Sequence, residues 1–197
     1  MSKSFFDWLA STCGLLALAP VLLLLAVWIK LDSQGPVFFR QERVGRGGKL
    51  FRIHKFRTMV TDADRRGLQI TVGADARVTR VGQWLRKYKL DELPQLLDVW
   101  LGHMSLVGPR PEVPRYVACY PADVRDVVLS VRPGITDRAS IEFKDENEIL
   151  GRSTDPQLAY VNEVLPIKLG YYVEYVNNRS FWGDISLIFK TFTTLVR

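Results

Sequence analysis

Cysteine and histidine are nearly absent from this chain, which holds two of each among 197 residues. Cys13 lies inside an apolar segment and Cys119 far along in polar sequence, so no disulfide framework is indicated and the expected compartment is reducing. His54 and His103, without paired cysteines, do not make a zinc-binding set; a metal here would be held by oxygen. Internal repeats and low-complexity stretches are also missing, and the length suits one domain plus an appendage. Acidic residues are outnumbered: 27 lysines and arginines against 21 aspartates and glutamates give a net charge of +6. Partners should therefore be anionic, whether nucleic acid, a phospholipid surface or a phosphorylated small molecule, and charge alone does not choose among them.

What is present begins with an apolar run from Trp8 to Ile29, flanked by Lys3 and Asp7 before it and by Lys30 and Asp32 after it. Some 20 such residues match the thickness of a bilayer, roughly 30 Å of hydrocarbon. Ala17-Leu18-Ala19 has the look of a signal-peptide cleavage site, but Pro20 would follow the cut and the apolar run continues past it. Pro20 also argues against a straight span, because proline removes a helical hydrogen bond and kinks the helix. A sharp bend there returns both ends to one membrane face, with Trp8 and Trp28 in the interfacial belt, so residues 1–32 are expected to form a re-entrant helix–break–helix anchor. Residues 33–197 would then be a cytoplasmic domain, given the dense lysine and arginine content beyond residue 40.

Val37–Phe39 and Leu50–Phe56 are short β-type runs joined by Gly45-Arg46-Gly47-Gly48, which predicts a hairpin; the phosphate-loop alternative lacks the required ending. Lys55 and Arg57 alternate around Phe56, so both would face one side of a strand and could grip a diphosphate, or simply be solvated. Thr61–Ala76 reads as a short helical turn followed by a mobile loop. Val81, Trp84, Leu85 and Tyr88 recur at helical spacing, and Arg86 falls off that face, available to an acid or an anionic substrate. Leu90-Asp91-Glu92-Leu93-Pro94-Gln95-Leu96 comes next, with two adjacent carboxylates placed just after Arg86, Lys87 and Lys89. Alone, the stretch favours a helix cap at Asp91 with Pro94 in the first turn. Among these cations it is also a candidate for tuned carboxylate chemistry, where a helix start would keep Asp91 ionised. Pro109-Arg110-Pro111 then holds one arginine between two rigid residues, as expected if its fork meets a phosphate, or if it is a plain turn.

Taken in order, the apolar segment, Lys55-Phe56-Arg57-Thr58-Met59, Arg77-Val78-Thr79-Arg80-Val81-Gly82, Leu90 to Leu96, Gly108 to Pro111 and Arg132-Pro133-Gly134-Ile135-Thr136 resemble the bacterial sugar transferases, the monotopic phosphoglycosyl transferases. The resemblance covers nearly the whole chain. It implies a UDP-sugar donor, a polyprenyl-phosphate (undecaprenyl-phosphate) acceptor in the inner leaflet, a magnesium ion and an aspartate nucleophile, at the first membrane step of a bacterial glycoconjugate pathway. Carried onto this chain, the nucleophile is Asp91 and its partner Glu92, both also candidates to hold the metal. Lys55, Arg57, Arg86 and Arg110 are the phosphate-binding candidates. The chain departs from the commoner family pattern at Asp137-Arg138-Ala139-Ser140, so the next substrate cation is assigned to Lys144. Anionic phospholipid is an expected partner and nucleic acid is not.

The last third is expected to be helical over Gln157–Val176 with a break at Pro166, and again over Phe181–Val196, which either packs on the core or lies on the bilayer. The resulting expectation is a mainly helical α/β membrane-anchored protein with a short hairpin, acting as a phosphoglycosyl transferase that releases UMP at the cytoplasmic face of the inner membrane. Two rivals predict different observations. A non-enzymatic basic module binding anionic membrane or nucleic acid would not need Asp91. Direct sugar transfer would release UDP.

Overall fold

The computed structural model describes residues 2–63, 75–143, 150–151 and 153–196. Among the described residues it is mainly helical with two small sheets. The first helix, α1, runs from Lys3 to Asp32, with the Ser2 side chain accepting from the Phe5 amide at its start and Lys30 in its last turn. It is long and apolar enough to cross a membrane, and most of its apolar stretch is exposed. The expected break at Pro20 is absent as a break: α1 is one helix with Pro20 inside it. Proline deletes a single donor and crowds one carbonyl, a local loss that the intact turns on either side bridge.

The expected hairpin is present as β1 (Phe38–Val44) and β2 (Leu50–Phe56), in register from Phe38 opposite Phe56 to Val44 opposite Leu50. The first strand extends five residues further than its apolar start, through Arg40-Gln41-Glu42-Arg43 to Val44, because pairing with β2 outweighs the weak strand preference of the polar side chains. Gly47 (φ 66°) and Gly48 (φ 77°) take the left-handed turn that closes it. Helix α2 (Arg80–Lys87) is capped by Thr79, whose hydroxyl accepts from the Gly82 amide at 3.0 Å. A one-turn 3-10 segment, Leu90–Glu92, leads into α3 (Gln95–Trp100).

Strand β3 (Ser105–Val107) pairs in parallel with β4 (Gly134–Thr136), across the intervening short helices α4 (Pro114–Val117) and α5 (Ala122–Val128). Gly108 and Gly134 lie back to back. A side chain on Gly134 would meet the Gly108 amide nitrogen at 2.1 Å, so this crossing admits only glycine. After α6 (Arg138–Glu142), the last third is α7 (Pro156–Ala159), a wide π turn over Tyr160–Val164, α8 (Leu165–Asn178) and α9 (Phe181–Val196). The break expected at Pro166 is thus a π turn just ahead of it, which absorbs the missing donor while the chain stays helical.

Three apolar clusters hold these pieces together. The largest gathers Val113, Tyr116, Tyr120, Val128, Tyr160, Leu165, Leu169 and Tyr172 from the second half of the chain. Leu25 and Ile29 of α1 pack with Phe56, Val81 and Leu85, and Ile53 with Val99 and Met104. Burying one such side chain is worth about 1.5–3 kcal/mol, so the second cluster clamps the end of α1 onto β2 and α2. The other end of α1 is also attached: Asp7, almost fully buried, accepts from Ser105 Oγ at 2.8 Å and from the Leu106 amide at 3.3 Å. Most of Thr61–Ala76, the expected turn and loop, lies outside the described residues.

Candidate active site

The acidic pair is set by the packing of α2. Gly82 sits so close to the preceding chain that a Cβ would stand 2.0 Å from the Thr58 carbonyl oxygen, and the Thr79 amide donates to that same oxygen at 2.9 Å. Helix α2 is thereby fixed against the end of β2. Lys89 then turns the backbone through φ 55°, the only left-handed non-glycine residue among those described, a conformation that costs of order 1–3 kcal/mol and recurs at functional sites. That turn delivers Asp91 and Glu92 beside β2. Asp98 holds the strand in place from the other side, accepting from the His54 amide at 2.8 Å and meeting His54 Nδ1 at 2.7 Å.

Within this frame the two carboxylates have different surroundings. Lys55 Nζ donates to Glu92 Oε1 at 2.7 Å, Arg110 Nη1 donates to Glu92 Oε2 at 3.0 Å, and Arg110 Nη2 also reaches Oε1. Asp91 is buried, yet makes no side-chain hydrogen bond or ion pair among the described residues. It does not cap a helix: α3 begins at Gln95 with Pro94 at its N-cap and no side-chain cap bond. Burial pushes the Asp91 carboxyl above the usual carboxylate range, against the pull of Lys55, Arg86 and Lys89. Burial alone would raise Glu92 too, but Arg110 and Lys55 hold it well below that range. The help expected from a helix start is small, since α3 is only six residues long and begins three residues after Glu92. The result is one ionised, clamped carboxylate and one unpartnered carboxylate beside it.

Lys55, Arg86 and Arg110 come together around this pair as expected from sequence. Arg86 donates from Nε to Thr58 Oγ1 at 2.9 Å, and its charge favours ionised Asp91. Arg57 does not join them. Its guanidinium is buried against the end of α1, donating to Pro36 O at 2.6 Å, Ser33 Oγ at 2.8 Å and Ser33 O at 2.8 Å. The expectation that Lys55 and Arg57 grip one diphosphate is therefore corrected: β2 ends at Phe56, the alternation stops there, and Arg57 ties the chain after α1 to the hairpin. Lys144 lies outside the described residues.

The model of the family described as "Bacterial sugar transferase" matches residues 1–197. The chain belongs to that family. Among the bacterial sugar transferases it is 38% identical over 196 residues to the UDP-N-acetylgalactosamine-undecaprenyl-phosphate N-acetylgalactosaminephosphotransferase of Aeromonas hydrophila, covering 98% of this chain and 43% of that protein. It is 42% identical over 197 residues to the undecaprenyl-phosphate glucose phosphotransferase of Komagataeibacter xylinus, covering 97% and 35%. The UDP-glucose:undecaprenyl-phosphate glucose-1-phosphate transferase of Caulobacter vibrioides is 35% identical over 199 residues, covering 100% and 70%. The chain thus spans less than half the length of the first two relatives.

For this bacterial sugar transferase chain, sequence reasoning missed the residues that back the site. Arg43 donates from Nη1 to Pro111 O at 3.0 Å and lies 3.7 Å from Glu112, which in turn accepts from Tyr160 at 2.5 Å. These groups stiffen the chain that carries Arg110. Asp98 was the detectable one, a lone acid on the otherwise apolar Leu96–Val99 run. Among the described residues no group of three metal-ligating side chains is gathered. Both Glu92 oxygens are occupied by cations, so of the pair only the unpartnered Asp91 would be left for a hard cation arriving with phosphate oxygens and water.

Proposed function

We propose that this chain transfers a sugar-1-phosphate from a UDP-sugar to undecaprenyl phosphate, releasing UMP, by way of a covalent aspartyl intermediate on Asp91. The observation that carries the reading is the pairing of an unpartnered, buried Asp91 with a Glu92 already clamped by Lys55 and Arg110. The names of the relatives, undecaprenyl-phosphate sugar phosphotransferases, support the substrate classes.

In the first step an Asp91 carboxylate oxygen attacks the phosphorus that bears the sugar. The new P–O bond forms as the bond to the bridging oxygen breaks, and UMP leaves with that electron pair. In the second step an oxygen of undecaprenyl phosphate attacks the same phosphorus and Asp91 departs. Such transfers need alignment and charge neutralisation more than elaborate covalent machinery. Burial serves alignment, because a carboxylate stripped of partners has no bond to break before attack. Arg86 and Lys55 supply positive charge toward Asp91. Glu92 acts by fixing Lys55 and Arg110 at the phosphates. Magnesium, when bound at Asp91 and the substrate phosphates, would neutralise phosphate charge.

The same reading places the protein on the cytoplasmic face of the inner membrane, with α1 re-entrant. It is supported by the attachment of both ends of α1 to one domain, through Asp7 at one end and through Leu25 and Ile29 at the other. The polyprenyl chain then stays in lipid and only its phosphate reaches Asp91. The test is to incubate solubilised protein with a panel of UDP-sugars, undecaprenyl phosphate and magnesium, and to assay nucleotide. Repeated UMP release that requires the lipid acceptor is expected, with no more than one UMP per protein in its absence; UDP as the product, or full turnover by Asp91→Asn, would sink the proposal.

A further inference from the structure

A cleft of about 450 Å³ opens where the first turn of α1, the junction of α8 with α9, β3, the approach to β4 and the hairpin turn meet. Neither Asp91 nor Glu92 lines it. Its charge is arranged unevenly. The two acids in its wall are satisfied: Asp184 by Lys3 and by Tyr175 Oη at 2.9 Å, and Asp7 by Ser105 and the Leu106 amide. The three arginines are not. Arg46 from the hairpin turn, Arg132 from the approach to β4 and Arg179 from the α8–α9 junction line the cleft, and none of their guanidiniums makes an ion pair or hydrogen bond among the described residues.

Three chain segments far apart in sequence thus bring free guanidiniums to one concavity, whose neighbouring carboxylates are already spent. Guanidinium forks suit phosphate oxygens, and several around one concavity make an anion site. The rim is apolar. Phe6 and Phe181 meet edge to face at 5.2 Å, and Trp182, 77% exposed, stands beside Phe181. A soluble anion has no use for such a rim, whereas an amphiphile with a phosphate head and an acyl tail uses both parts.

We propose that this cleft binds the phosphate headgroup of an anionic phospholipid of the membrane surface, at a site separate from the transfer centre. The inference rests on the membrane-associated part of the function proposed above and is independent of its chemistry. Occupied, the cleft would pin the start of α1 and the start of α9 to the headgroup plane.

The test is native mass spectrometry of the full chain in neutral detergent, titrated with phosphatidylglycerol, phosphatidylcholine, farnesyl phosphate or inorganic phosphate. One phosphatidylglycerol should be retained in preference to the other three, and Arg46→Gln with Arg179→Gln should weaken it by about tenfold or more. Lys49→Gln with Arg125→Gln removes the same charge outside the cleft and should leave binding unchanged. Both arginines of the first pair are exposed, so thermal melting should be unaltered, and Arg132→Gln alone gives a second reading of the same site. Equal retention of phosphatidylcholine, or equal loss in both double variants, overturns the proposal. So does farnesyl phosphate or inorganic phosphate binding there as tightly as phosphatidylglycerol. Failure of UMP release in the wild-type chain would strike only the transfer reading; UMP release without headgroup selectivity would strike only this one.

Discussion

The two acids at positions 91 and 92 are expected to respond in opposite ways to neutral substitution. Asp91 has its carboxyl raised by burial, so whatever stability it lends is present below the ordinary value of 3.8 and is lost as pH rises through the raised value. Asp91→Asn should therefore raise the melting midpoint at pH 7 and give no gain at pH 3, while UMP release falls to about a thousandth or less of wild type. A lowered midpoint at pH 7 would contradict the unpartnered carboxylate. Glu92 has the reverse sign: its stability is present above the ordinary value of 4.5 and is lost as pH falls through the depressed one. Glu92→Gln strands Lys55 and Arg110, and denaturant titration should show a loss of about 3–5 kcal/mol at pH 7 that shrinks below pH 4.5. Arg57→Gln removes bonds to Ser33 and Pro36, and should cost about 2–3 kcal/mol with the KM for UDP-sugar unchanged. A raised KM with unaltered stability would restore Arg57 to the phosphates. The acidic pair and its cations were legible because they lie in short, charged, proline-marked stretches. The fate of Arg57 was not, since it turns on where β2 ends and on a partner 24 residues upstream.

Among the elements, helices that carry their own periodicity and caps were readable, α2 being the clearest with Thr79 ahead of Val81 and Leu85. The hairpin was readable from its glycine turn. The parallel β3–β4 pair was not: each strand is three residues long, their pairing spans 29 positions from Ser105 to Gly134, and its mark is a glycine on each side of the crossing, which sequence shows without showing that the two meet. Pro20 marked a break that the helix does not make, because the turns on either side carry it through; the return of both helix ends to one face is a separate expectation that rests on their attachments. The close approach of α2 to Thr58 gives the sharpest test at this scale. Gly82→Ala sets a methyl group 2.0 Å from a backbone oxygen that already accepts from Thr79, so α2 must shift and carry Lys89 and Asp91 with it. The expected loss is about 1–3 kcal/mol by denaturant titration, with a larger fall in kcat than in substrate affinity. Wild-type stability and turnover in that variant would show that α2 does not position the acidic turn.

At the scale of the whole molecule, exposed apolar side chains fall on separate elements: Leu16, Leu23 and Leu24 on α1, Trp84 on α2, and Trp182, Phe189 and Phe192 on α9. Aromatic rings join two of these elements, with Trp28 of α1 lying 6.0 Å from Trp84. A helix of 30 residues is about 45 Å long, enough to span a bilayer if straight and upright. Its attachments oppose that arrangement. At one end Lys3 pairs with Asp184 and Asp7 is buried on Ser105; at the other the Val81 amide donates to Asp32 at 3.2 Å and Arg57 holds Ser33. An upright span would pull one of these sets off the domain, leaving either a buried carboxylate without partners or an apolar cluster opened to water, at a cost of several kcal/mol. Cysteines introduced at the exposed Ser4 and Leu31, in a background lacking Cys13 and Cys119, should therefore both react with an impermeant maleimide in inverted vesicles and neither in intact spheroplasts. Reaction of the two positions from opposite faces would establish an upright span and require that α1 leave the domain at one end when the protein enters the membrane.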